Sequence, residues 1–148
     1  MSRSSSERSG EWPVRPPGLV LGTTRAMGDT DLLDMLASET DRRSEAIIEG
    51  VQALCTSGKA DAKRLEELRV EAHGLKGAAL VVGQERLAEL ARFVEQALAD
   101  CKKSGRIDPA LAARVVAATS ALHEGAQAAA EGVGEPSSVA ESLAELGG

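Results

Sequence analysis

The sequence predicts an all-α protein, an antiparallel four-helix bundle with flexible N- and C-terminal tails. Three observations carry that expectation. Hydrophobic residues make up 43% of the 148, drawn mostly from Ala, Leu and Val, and Trp12 and Phe93 are the only aromatics. Ala and Leu favour helix, and the residues that favour strands are scarce. Apolar residues return every three or four positions through four successive segments, and short polar joints containing glycine separate these segments.

Residues 1–28 are rich in Ser, Arg, Gly and Pro, with Pro13, Pro16 and Pro17 close together. Such a stretch buries too little apolar surface to offset its ordering entropy, so it is expected to be a disordered N-terminal tail. The bundle is expected over 29–131. Asp29 or Thr30 can cap its first helix, and Leu32, Leu33, Met35, Leu36, Ala46, Ile47, Val51 and Leu54 recur at roughly helical spacing. The polar centre from Ser38 to Ser44 leaves room for a break. Thr56-Ser57-Gly58 closes this segment.

A second helix is expected over about 60–82, with Leu65, Leu68, Ala72, Leu75, Ala79 and Val82 on one face until Gly83 interrupts. A third runs on to Lys103, buries Leu87, Leu90, Ala91, Val94, Leu98 and Cys101, and places Lys102 and Lys103 where cations suit the helix dipole. Asp108-Pro109 opens a fourth, with an acceptor at the cap and Pro at the first helical position. Its stripe is Leu111, Val115, Ala118, Leu122, Ala126 and Ala129. Gly132, Gly134 and Pro136 end it, leaving 132–148 as a flexible tail or short terminal helix.

Composition narrows the function classes. A net charge of -6 and the lack of a basic stripe argue against nucleic acid as the main ligand. No run approaches the roughly 18 apolar residues of a membrane span. The N-terminus has no apolar secretory core, so a cytoplasmic protein is expected, with no membrane partner. Cys55 and Cys101 lack metal-ligand spacing and read as small buried hydrophobes.

The run from Ala72 to Glu95 holds the chemistry. At about 100° per residue, His73 points roughly 130° away from the apolar centre of its helix, towards solvent beside Glu66, Val70 and Gly77. A core histidine is therefore disfavoured. Metal binding lacks converging ligands, and His123 sits in HEGAQ, without the second His of a zinc-protease helix. There is no glycine-flanked nucleophile turn and no P-loop.

A neutral imidazole can accept a phosphoryl group at one nitrogen, best when an acceptor holds the proton on the other. Lys76, three residues on, can supply a cation to the transferring oxygens. Gly77, four residues on, clears space for a bulky partner. Glycine within a helix costs about 1 kcal/mol against alanine, so its presence asks for a reason.

These residues resemble the signature of the histidine-containing phosphotransfer (HPt) domain family. His73-Gly74-Leu75-Lys76-Gly77-Ala78-Ala79 is followed by Gly83, Leu87 and Glu95 at ten, fourteen and twenty-two positions after the histidine. The resemblance implies His73 as phosphoacceptor, Lys76 as the phosphoryl-stabilising cation, Gly77 as the clearance position and Glu95 as the residue that orients the imidazole. It adds Arg92, at a position often polar or basic. Ala78 stands where Ser is common, and Leu80 and Val81 suit a docking surface.

By this resemblance the protein is a phosphorelay intermediate, not an autonomous kinase. It takes a phosphoryl group from a receiver-domain phospho-aspartate or a sensor histidine kinase and passes it to a response regulator. It has no cofactor or metal of its own, since Mg2+ belongs to the partner receiver, and it reads as a monomer. Two alternatives stand beside this reading. One is a helical module that binds a receiver or kinase without carrying phosphate. The other is the detached phosphoacceptor domain of a chemotaxis-type histidine kinase.

Overall fold

The computed structural model describes residues 29–147, which form five helices and no strand: α1 Asp29–Ser57, α2 Ala62–Val81, α3 Glu85–Ser104, α4 Pro109–Glu131 and α5 Ser137–Gly147. The expected tail over 1–28 lies outside the described residues. The chain divides into two units, Met1–Leu32 and Leu33–Gly148, and the second holds the packed core.

Local chemistry sets the helix ends. The Asp61 carboxylate accepts from Lys63 N at 3.0 Å and Arg64 N at 3.3 Å, capping α2. Asp108 does the same for α4 by accepting from Ala110 N, ahead of Pro109. Between α2 and α3 the chain reverses over Val82–Gln84, where Gly83 takes φ +79°, a left-handed conformation that residues with a Cβ rarely adopt.

That reversal fixes the register of the hairpin. His73 and Glu95 lie eleven residues either side of Gln84, and Glu66 and Lys102 lie eighteen either side. Both pairs are joined by hydrogen bonds across the α2–α3 seam.

Four helices form the expected antiparallel bundle. Helix α2 packs on α3 and α3 on α4. Helix α1 meets α2 through Arg43–Glu71 and α4 through Gln127, whose amide donates to Ala37 O. Leu65, Leu68, Ala72, Leu75 and Ala79 of α2 are all buried, as are Leu87, Leu90, Ala91, Val94, Leu98 and Cys101 of α3. Cys55 is only half-buried; burial pushes the Cys101 thiol upward, helped by Asp100, Cys55 and Asp108. No helix among the described residues is long and apolar enough to cross a membrane.

The structure departs from the sequence pattern in two places. Helix α1 runs unbroken through Ser38–Ser44. Thr40 and Ser44 face inward and are buried, continuing the stripe Leu36, Ile47, Val51, Leu54, and the Thr40 hydroxyl donates to Leu36 O within its own helix.

On α4 the buried surface is wider than one stripe. It includes Ala112, Thr119, Ala121, Gly125 and Ala128, while Leu111 and Ala129 are half-buried. Ala112 lies beside Val51 and Cys55 of α1, while Gly125 is covered by the short terminal helix that the sequence allowed, which forms as α5 and packs on α4 and α3. Val139 of α5 is fully buried, and a Cβ placed on Gly125 would come within 3.1 Å of Val139 Cγ2 and 2.6 Å of Leu87 Cδ2. Arg86–Glu135 at 2.9 Å and Ser138–Glu124 at 2.6 Å tie the segment down.

Candidate functional site

His73 stands at the middle of α2 with its side chain 62% exposed. Its Nδ1 lies 2.9 Å from Glu95 Oε2. Burial pushes the Glu95 carboxyl upward, but hydrogen bonds from Lys76 and His73 outweigh it and hold the group below the usual carboxylate range. Glu95 is therefore ionised at neutral pH and can only accept, so the proton in this bond belongs to Nδ1. The neutral ring then has its lone pair on Nε2. One nitrogen is anchored, and the other is free to react.

Lys76 Nζ lies 2.9 Å from the other oxygen of the same carboxylate, Glu95 Oε1. The sequence spacing places Lys76 one turn from His73, and in the structure its ammonium reaches Glu95. Gly77 is exposed, and a Cβ built on it would meet nothing within 4 Å. Around the imidazole the α2 surface also exposes Val70, Leu80 and Val81. His73, Lys76, Gly77 and Glu95 are thus assembled at one place on the α2–α3 face.

Arg92 is placed elsewhere. Its Nη2 donates to Glu89 Oε1 at 2.7 Å, one turn back on α3, and it lines a groove with Phe93, Leu143 and Leu146 between α3 and α5. The arginine that meets Glu95 is Arg69, which sequence reasoning missed, with Nη1 3.0 Å from Oε2. The signal was present. Arg69, His73 and Lys76 are spaced i, i+4 and i+7, one continuous face of a helix.

On the other flank Gly74 admits Arg43 of α1. A Cβ at Gly74 would lie 2.7 Å from the guanidinium carbon, which is held by Glu39 and Glu71, each at 2.9 Å. His123 is remote from this cluster, with Nε2 3.1 Å from Asp41 Oδ1 on α1. Among the described residues no three His, Cys, Asp or Glu side chains gather as a metal site.

Comparison with curated proteins and with solved structures gave no match. A model of the Hpt domain does match, over residues 31–132, and α5 lies beyond that span. The match covers more than half of the chain and takes in all of the His73 cluster, so the chain belongs to the Hpt domain family, whose members carry phosphoryl groups on histidine in two-component signalling.

Proposed function

We propose that His73 is the phosphoacceptor of a phosphorelay intermediate, charged by a receiver-domain phospho-aspartate or a sensor kinase and discharged to a response regulator. One observation carries this reading: an exposed imidazole whose Nδ1 proton is held by Glu95, leaving Nε2 towards solvent. In the forward step the Nε2 lone pair forms a bond to phosphorus. The bond from phosphorus to the aspartyl oxygen breaks, and its electrons leave with the carboxylate. The ring, now bonded at both nitrogens, becomes cationic, and Glu95 balances its charge.

Lys76 sits on the same cluster and supplies a cation for the phosphoryl oxygens once the added charge draws it from Glu95 Oε1. Val70, Gly77, Leu80 and Val81 form the surface on which a receiver docks, with the glycine leaving the ring approachable from above. The chain acts as a monomeric carrier in the cytoplasm, and kinase activity and Mg2+ belong to its partners.

The test is phosphotransfer from a phosphorylated receiver. The protein is expected to take up acid-labile, alkali-stable phosphate, and His73→Gln to take up none. Label on the variant would overturn the assignment. Receiver binding at normal affinity without label on the wild-type protein would instead favour a docking module that carries no phosphate.

A further inference from the structure

Glu95 Oε2 has two donors, His73 Nδ1 at 2.9 Å and Arg69 Nη1 at 3.0 Å, while Lys76 Nζ holds Oε1 at 2.9 Å. A lone carboxylate beside an imidazole favours the doubly protonated ring. Such a ring has no lone pair and cannot take a phosphoryl group. Here two permanent cations already face the carboxylate, so His73 can be oriented by it without needing a second proton.

We propose that Arg69 is a positioning residue of the site: by sharing Glu95 Oε2 with His73, it keeps the imidazole oriented through Nδ1 and unprotonated at Nε2. This deepens the phosphotransfer reading and rests on it.

The arginine is itself held in place. Its Nε and Nη2 donate to the two oxygens of Glu66 at 2.9 and 2.8 Å, which leaves Nη1 to reach Glu95. Glu66 also accepts from Lys102 Nζ at 3.1 Å, and its hydrogen bonds with Arg69 and Lys102 lower its carboxyl to about 2. Charges therefore alternate along Lys102, Glu66, Arg69 and Glu95, which meets the imidazole, and the path crosses three times between α3 and α2. A planar guanidinium suits this bridge because it bonds one carboxylate with two nitrogens and another with a third.

The charged groups that meet Glu95 or pack beside the histidine's turn are Arg69 and Lys76 from α2, Glu95 from α3 and, against Gly74, Arg43 from α1. Arg43 is neutralised by Glu39 and Glu71. Of these, Arg69 is the one that meets the same oxygen as the imidazole.

The experiment uses the full chain with Arg69→Met and Arg69→Lys. Ring protonation is followed by NMR across pH, and phosphate uptake is measured from phosphoramidate, a small donor that needs no docking. In Arg69→Met the cationic ring should persist to higher pH. Uptake at about pH 7 should fall by about fivefold and recover as the pH is raised. Arg69→Lys, which keeps the charge, should lie closer to wild type.

A merely structural role would lower uptake equally at every pH. That result, or a ring titration identical to wild type in Arg69→Met, overturns the proposal. Absence of label on the wild-type protein under both phosphoramidate and a phosphorylated receiver would overturn the phosphoacceptor reading, while the ring titration still decides whether Arg69 controls protonation.

Discussion

At the scale of single residues, Glu95 holds the site together because one carboxylate serves three donors on a neighbouring helix. Its carboxyl lies below the ordinary 4.5 in the folded chain, since the bonds from Lys76 and His73 outweigh the opposing effect of burial. A carboxylate lowered on folding contributes stability that is fully present above its unfolded value and is lost as pH falls through its folded value. The melting temperature should therefore drop on acidification from about pH 4.5. That drop should be shallower in Glu95→Gln, which has no such proton to gain; parallel curves would show that the bonds contribute nothing to folding.

Gly77 makes the opposite case. With nothing within 4 Å of a built Cβ, Gly77→Ala should stabilise the helix by about 0.5–1 kcal/mol. Gly77→Gln should fold equally well and lose receiver docking. If it docks normally, the glycine is not there for clearance.

At the scale of elements, α5 completes the bundle's α3–α4 side. Val139 is fully buried and meets the Leu87–Gly125 contact, so Val139→Ala should cost about 2 kcal/mol in denaturant unfolding. Gly125→Ala should cost about 1 kcal/mol, because the new methyl would stand 2.6 Å from Leu87 Cδ2 and 3.1 Å from Val139 Cγ2, and Leu87 must shift into the cavity it lines to make room.

The same comparison shows what sequence patterns could disclose. Stripes such as Leu65, Leu68, Ala72, Leu75 and Ala79 were legible because burial of one face imposes a helical period. The second buried face of α4 was not, since Gly125 and Ala128 become interior only when another element lands on them. Thr40 and Ser44 read as a polar interruption because composition does not reveal that the Thr40 hydroxyl bonds back to its own helix, or that a residue as small as Ser44 fits inside. His73, Lys76, Gly77 and Glu95 were legible through motif spacing; Arg69 shares a helix face with His73 and Lys76, but spacing alone does not show that it bonds Glu95, which the α2–α3 register decides.

At the scale of the whole molecule, the face that carries His73 and the core are separate. His73, Gly77, Leu80 and Val81 are exposed on one side of α2, while Leu65, Leu68, Ala72, Leu75 and Ala79 face inward on the other. Substitutions on the outer side should therefore remove function without removing the fold. Among the described residues the His73 side chain makes one hydrogen bond, to a Glu95 carboxylate that Arg69 and Lys76 also hold, so losing it is worth about 0–1 kcal/mol. For a domain of this size that corresponds to a shift of less than about 5 °C in Tm. His73→Gln should thus melt within about 5 °C of wild type, with unchanged helical circular dichroism, while phosphate uptake falls to background. A larger loss of Tm would mean that the imidazole is part of the packing and that the lost uptake reflects unfolding; near-identical melting would assign the loss to the missing nucleophile.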